Sequence, residues 1–406
     1  MLLNLFLLLV GYYILKTLRE PLVLVSGGAE LKAYAAAAQA FTLMGFVPLY
    51  SWAAARVSRL KLVVGLVAVF LLNLQLFAAG VVGGAPYIGF VFFVWVGIFS
   101  LASIAQFWSY ANDLYTRESG ERIFPLIAIG ATAGSPVGAK LAQTLFDGGA
   151  TPATLLQLAS AILLVHGALY WVIDRRVGDR AAQPVGTVAA RGPGGFRLLA
   201  GNPYLRWVAV ILLLLNLVNT TGEYILGRVV VEAADKAAAA GGVSSSAYIG
   251  AFYGEYFFWV NIIAVALQAF LVSRIVRHAG TAGAVLMLPM VSLGAYAFIG
   301  AGAGFALMRW LKTAENATDY SVMNTGRQLL WLPTTREEKY QAKQAVDTFV
   351  VRSGDLVSAA VVFAGTAWLG LGVQGFAWLN VGLALLWLLA SIPLLRSFRR
   401  LCADCP

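Results

Sequence analysis

Between Asp174 and Phe196 the chain reads DRRVGDRAAQPVGTVAARGPGGF. Arginine, glycine and proline crowd into this stretch, and that composition marks a linker rather than a regular element. It is the longest polar connection in a chain of 406 residues that is 60% hydrophobic and only 12% charged. A soluble domain averages about 25% charged residues. On either side lie apolar runs of about 20 residues, the length that crosses a bilayer. Six precede the connection, near 2–25, 33–55, 62–80, 86–112, 122–146 and 152–173. Six follow it, near 204–230, 247–273, 281–300, 304–332, 341–369 and 376–395. The chain is therefore expected to be an all-α polytopic membrane protein of about twelve transmembrane helices. The expected parts are a six-helix half over 1–174, a cytoplasmic linker over 175–203, a second half over 204–396 and a cytoplasmic tail over 397–406.

The formal net charge is +10, but its distribution speaks for a membrane and against nucleic acid. Arg56, Arg59 and Lys61 follow the second helix, Arg117 and Arg122 the fourth, and Arg175, Arg176, Arg180, Arg191, Arg197 and Arg206 the sixth. Arg274 and Arg277 follow the eighth, Arg336, Lys339 and Lys343 the tenth, and Arg396, Arg399 and Arg400 the twelfth. Every basic loop thus falls after an even-numbered helix. The opposite side has glycine-rich turns and only Lys32 and Lys236 in its loops. The positive-inside rule places the basic loops and both termini in the cytoplasm, as for a protein of a bacterial-type inner membrane. A missed or extra helix would scramble this agreement. Met1 opens directly into the first helix, without a basic leader region or cleavage site. That helix is expected to act as its own insertion signal, unless a short native N-terminus precedes it. Cys402 and Cys405 supply two metal ligands where a closed zinc site needs four, so reduced thiols in a cytoplasmic tail are expected. Nothing in the sequence requires a metal or a prosthetic group.

The two halves look alike. SYANDLYTRESGERIFPLIAIGATAG, Ser109–Gly134, aligns with Asp319–Asp355 once an insertion is allowed. Two parallel six-helix repeats joined by a cytoplasmic linker match the major facilitator architecture, which encloses a site near the bilayer midplane. The fifth helix carries Gly130, Gly134, Pro136 and Gly138. Small residues at that spacing are expected to serve close helix packing.

Ions sit inside these helices. Gly304–Leu332 reads GFALMRWLKTAENATDYSVMNTGRQLLWL and holds Arg309, Lys312, Glu315, Asp319 and Arg327. Such groups are expensive in hydrocarbon and face a bundle interior or a water-filled path. At about 100° per residue, Arg309, Lys312, Asn316, Asp319, Met323 and Arg327 share one face of the tenth helix, with Tyr320 at its border. Tyr12, Lys16 and Arg19 share a face of the first helix. Gln106, Ser109, Tyr110 and Asp113 do so on the fourth, Asn216, Asn219, Thr220 and Glu223 on the seventh, and Tyr248, Phe252, Glu255 and Trp259 on the eighth. In a facilitator the first, fourth, seventh and tenth helices line the cavity. The cations Lys16, Arg19, Arg309, Lys312 and Arg327 suit an anionic substrate, because arginine grips phosphate or carboxylate bidentately and lysine adds a point charge. Glu223, Glu255 and Asp319 suit charge neutralisation or proton carriage. Tyr12, Tyr110, Tyr320 and Trp259 suit stacking on a ring. A structural reading stands beside this one, in which embedded cations and acids pair to keep the interior neutral. Glu20, Asp113, Arg228 and Arg327 fit snorkelling at an interface. Lys140, Asp347, Arg352 and Asp355 fit salt bridges between cytoplasmic helix ends. His166 and His278 are expected to be peripheral.

Three segments resemble the non-mitochondrial ATP/ADP translocase family. They are YYILKTLREPLVL with the GAE that follows (Tyr12–Leu24, Gly28–Glu30), QFWSYANDLYTRESGERIFPLIAIGATAG (Gln106–Gly134) and DYSVMNTGRQLLWLPTTREEKYQAKQAVDTFVVRSGD (Asp319–Asp355). The resemblance implies a facilitator-like carrier that exchanges ATP for ADP, with Arg19 at a family basic position and Glu223 at a family acid. It also marks departures. Asp319 stands where a lysine precedes Tyr-Ser, and Arg327 and Gln328 stand where a lysine and an acid occur. Lys312 and Arg309, about two turns earlier, can compensate.

The expectation is a secondary transporter of a small-molecule anion, ATP or ADP among the candidates, working by alternating access as a monomer. A proton-coupled carrier of another solute is the alternative, with Glu223, Glu255 and Asp319 at its centre. A non-transporting membrane scaffold is a third reading. No GxxxxGK[ST], HExxH or nucleophile elbow supports an enzyme.

Overall fold

A computed structural model describes residues 1–54, 56–57, 59–115, 117–177, 194–335 and 337–403. Linker residues 178–193, with Arg180 and Arg191, as well as Arg336 and Cys405, lie outside the described residues. Every regular element among the described residues is helical. They run α1 (Leu2–Ala54), α2 (Arg59–Val82), α3 (Ile88–Leu114), α4 (Arg117–Asp147), α5 (Pro152–Val177), α6 (Gly195–Gly201), α7 (Pro203–Ala239) and α8 (Ser245–Leu267). After them come α9 (Ser273–Gly300), α10 (Phe305–Thr318), α11 (Asn324–Leu329), α12 (Lys343–Ala345), α13 (Val351–Ala367) and α14 (Val373–Ala403). π-helical turns occupy Gln268–Val272, Asp319–Met323, Glu338–Ala342 and Val346–Val350.

Nine of the described helical stretches are long and apolar enough to cross a membrane. Two of them are double. The 53 residues of α1 would extend about 80 Å at 1.5 Å per residue, against a hydrocarbon core of about 30 Å. The helix therefore bends at Gly27 and Gly28, where Gly28 takes φ 69° and ψ −166°. That conformation is essentially closed to residues with a Cβ. The stretch Ser245–Gly300 divides in the same way at Gly280, φ 60° and ψ −158°. With 305–329, whose ions lower its hydropathy, the spans among the described residues number the twelve expected.

The fold separates into two compact units. One comprises Met1–Ala35, Gly45–Thr187 and Val230–Trp259; the other comprises Ala36–Met44, Val188–Val229 and Val260–Pro406. In the first unit α4 lies backbone to backbone on α1. A Cβ at Gly130, Gly134 or Gly138 would come within 2.5 Å of the carbonyl oxygens of Leu2, Phe6 and Val10 respectively. The close packing expected of that glycine row is borne out. Phe70 and Phe77 of α2 meet Phe92, Trp95 and Phe99 of α3 edge-on or tilted. In the second unit α14 packs along α9, and Tyr224 of α7 meets Phe376 edge-on. Helix α6 forms where the linker was expected to continue. Phe196 packs against Phe349, and a Cβ at Gly195 would lie 2.3 Å from the Gln341 carbonyl, so the helix is pinned by close approach.

Candidate functional site

Each unit holds one cluster of buried ions. In the first unit the cluster sits at the bend of α1. Glu20 is enclosed, with 0% of its surface exposed. Arg19 Nη2 meets Glu20 Oε1 at 2.7 Å, and Lys32 Nζ meets Glu20 Oε2 at 2.7 Å. The Arg19 guanidinium lies 4.0 Å from the centre of the Phe93 ring. Lys32 donates to the Tyr253 hydroxyl at 3.3 Å. One turn earlier the Lys16 ammonium lies 4.3 Å from the Phe257 ring centre and 5.1 Å from that of Tyr13. A ring face attracts a cation, more strongly when both are desolvated.

Three expectations change here. Lys32 is buried and holds Glu20, whereas a loop position was expected. The helix resumes directly after Gly28, so Lys32 falls one turn inside it. Glu20 is likewise a buried ion-pair partner and not an interfacial group. Tyr12 is half-buried and edge-on to Tyr13. Tyr110 is fully buried, its hydroxyl donating to Asp174 at 3.4 Å and its ring edge-on to Tyr170. Glu255 and Trp259 are half-buried on α8. His166, expected at the periphery, is buried; its Nδ1 lies 3.1 Å from the Asn4 carbonyl because its face of α5 turns toward α1. His278 is exposed. Lys140 donates to Gln143 at 3.0 Å and lies over Phe258.

In the second unit the cluster joins α7, α9 and α10. Lys312 is 1% exposed and grips Glu315, one turn along the same helix. Glu315 also accepts from the Ser292 hydroxyl at 2.8 Å and the Tyr296 hydroxyl at 2.9 Å. Lys312 donates to Tyr296 at 3.0 Å. The α7 backbone closes over this network at Gly222, where a Cβ would fall 1.8 Å from the Tyr296 hydroxyl and 2.6 Å from Lys312 Nζ. Beside it, Asn316 donates to Glu223 at 3.0 Å. Asn219 is half-buried, and its Oδ1 has no hydrogen-bond partner among the described residues.

The predicted face of the seventh helix divides between two neighbours. Asn216 and Thr220 both donate to Asp355, each at 2.8 Å, with Arg352 at 3.7 Å from the same carboxylate. Glu223, on the adjoining row, turns to Asn316. The tenth helix divides too. Asp319 is half-buried and opens the π turn Asp319–Met323, with Tyr320 partly exposed beside it. A π turn inserts an extra residue, so constant phase fails beyond it. Arg327 reaches Asp347 at 3.9 Å, away from the partners of Lys312. Arg309 is half-buried, 5.4 Å from the centre of the Trp310 ring.

The sequence reading did not select Ser292, Tyr296 or Gly222, and it quoted Glu315 without assigning it a place in the site. Glu315 carried a signal: it lies three residues after Lys312, the spacing at which helical neighbours meet. The other three come from non-local packing. Among the described residues no group of three or more His, Cys, Asp or Glu is placed to hold a metal ion.

No protein-family model matches the chain. It is similar to ADP,ATP carrier protein 1 of Chlamydia pneumoniae, 21% identical over 304 residues, covering 61% of this chain and 55% of that protein. It is also 21% identical over 292 residues to ADP,ATP carrier protein 1 of Chlamydia trachomatis, covering 61% and 53%. The chain thus spans about half the length of the curated relatives it matches. Among solved structures, a bacterial homologue of the iron transporter ferroportin in an inward-facing state superposes with a TM-score of 0.70 at 14% identity, covering 97% of each chain. The nucleoside transporter NupG gives 0.69 at 14% identity, covering 97% of this chain and 98% of that one. The fold is that of a major facilitator-like integral membrane protein, and the resemblance to ADP,ATP carriers is borne out.

Proposed function

We propose that this chain is a secondary transporter of a nucleotide or related phosphate-bearing anion, including ATP/ADP-type exchange, working by alternating access. The observation that supports this most is the set of cations inside membrane-spanning helices. Lys16 and Lys312 are buried, and Arg19, Arg309 and Arg327 are half-buried in spans where hydrocarbon-facing ions are disfavoured. The similarity to ADP,ATP carriers gives that cationic interior an anionic cargo. We place the substrate among Tyr12, Lys16, Arg19, Asn219, Glu223, Glu255, Arg309, Lys312, Asn316, Asp319, Tyr320 and Arg327. Tyr110 belongs less to this set, since its ring and hydroxyl are taken up by Tyr170 and Asp174. Asn219 offers an acceptor with no partner among the described residues to a donor on the cargo. The protein works as a monomer in a bacterial-type inner membrane, with both termini cytoplasmic and six-helix halves over 1–174 and 204–396. Uptake of labelled ATP into proteoliposomes preloaded with ADP, inorganic phosphate or buffer tests this. ATP uptake above that of protein-free vesicles is expected; no uptake under any load would overturn it.

The three carboxylates Glu223, Glu255 and Asp319 favour proton coupling as the second reading. It would show as solute uptake driven by an imposed pH gradient without any counter-substrate.

A further inference from the structure

We infer that Glu315 is a built-in counter-ion that lets the carrier return empty, so that net transport accompanies exchange. This rests on the anion-carrier reading above. Transport by alternating access takes the binding region through an enclosed intermediate twice per cycle, once loaded and once on the return. A cation enclosed without a counter-charge pays a large desolvation penalty. If only the cargo could neutralise Lys312, the return leg would need a second anion and exchange would be obligatory.

The structure supplies that counter-charge from the chain itself. Lys312 and Glu315 lie one turn apart on α10, both nearly inaccessible at 1% and 3% exposure. Being on one turn of one helix, the pair travels intact when α10 moves as a body. Glu315 does not depend on Lys312 alone for its orientation. The Ser292 and Tyr296 hydroxyls of α9 donate to its two oxygens, one each. Gly222 lets the α7 backbone close over the pair with no room for a side chain. Asn316, one residue along, holds Glu223 and keeps that second carboxylate oriented beside the network.

The test compares two flux modes in one preparation. Labelled ATP uptake is measured into proteoliposomes loaded with ADP and into unloaded ones, with potassium and valinomycin clamping the potential. Wild type is expected to take up ATP in both. In Glu315→Gln, which is isosteric but uncharged, the ratio of unloaded to loaded uptake should fall about tenfold, equivalent to about 1.4 kcal/mol on the return step. The variant Glu315→Asp keeps the charge and should hold the ratio near wild type. A merely structural role for Glu315 would lower both modes alike and leave the ratio unmoved, overturning the inference. Wild type that exchanges but takes up nothing into unloaded vesicles would overturn it as well. Wild type inactive in both modes would overturn the nucleotide reading, and this inference with it. Should Glu315→Gln fail to fold, the wild type decides: ATP uptake into unloaded vesicles supports the inference, and exchange without it overturns the inference.

Discussion

Glu20 and Glu315 are both buried carboxylates holding cations inside membrane helices, but they are assembled in different ways. Glu315 takes its lysine from its own helical turn, three residues away. Glu20 takes Arg19 from the next position and Lys32 from beyond the Gly27–Gly28 bend. The first pair follows from helix geometry wherever α10 goes. The second depends on the bend keeping its angle and on Tyr253 staying against Lys32. A local pair can accompany a moving helix, whereas a pair across a bend reports the conformation of that bend.

The largest effect is expected from Glu315→Ala. Removing one partner of a buried ion pair costs about 3–5 kcal/mol, and here two hydroxyls lose their acceptor as well. The midpoint of thermal unfolding in detergent should drop further than for any other single change named here. A drop smaller than that of Lys32→Ala would reverse the ranking of the two clusters. Lys32→Ala should cost about 2 kcal/mol, the range for a hydrogen bond to a charged group, because Glu20 keeps Arg19. The same melting experiment reads it, and a shift as large as that of Glu315→Ala would show that Arg19 does not hold Glu20 alone.

Gly28→Ala probes the bend without touching an ion. Forcing a Cβ into this glycine-only conformation costs about 1–3 kcal/mol. It should also loosen the Lys32 contact, so Gly28→Ala and Lys32→Ala should be less than additive in a double-variant cycle. Full additivity would separate the bend from the ion pair. The smallest effect belongs to Lys236→Ala. Lys236 pairs with Glu232 at 2.6 Å, but the two side chains are 74% and 63% exposed. Exposed pairs contribute about 0.2–1 kcal/mol at most, so the midpoint should move by less than in any of the other variants. A shift matching Lys32→Ala would mean that Lys236 has a buried role its exposure does not suggest.

Much of the architecture could be read directly from the chain. Hydropathy locates apolar runs, and the alternation of basic and glycine-rich loops sets their parity. That parity required breaks between residues 25 and 33 and between 273 and 281, although the bends at Gly27–Gly28 and Gly280 interpose no loop. The close approach of Gly130, Gly134 and Gly138 to α1 was also legible, because a row of small residues at four-residue spacing has few other uses. Lys32 was misplaced because a charge beside Gly-Gly reads as a loop, and nothing local shows that the helix resumes one turn earlier. His166 was misplaced because its single polar ring gives no periodic signal, and only the Asn4 carbonyl reveals which way it faces.

The candidate site divides along the same line. Helical phase identified Lys16, Arg19, Asn219, Glu223, Lys312 and Asn316 as groups that a membrane span must turn inward, since phase and the cost of charge in hydrocarbon are local properties. It assumed an unbroken helix beyond Asp319, and the π turn there sends Arg327 to Asp347 instead. Which neutral groups complete each carboxylate's surroundings was settled by packing. Ser292 and Tyr296 reach Glu315 from α9, Gly222 closes over it from α7, and Asn216 and Thr220 turn to Asp355 while Glu223 turns to Asn316. The sequence by itself determined the membrane class, the number of spans and the presence of ions within them, because each follows from composition and period along one strand of chain. Only the tertiary structure decided that Lys32 reaches Glu20 across the bend and that Ser292 and Tyr296 hold Glu315, because a charge is neutralised by whatever lies within a few ångströms of it, however distant in sequence.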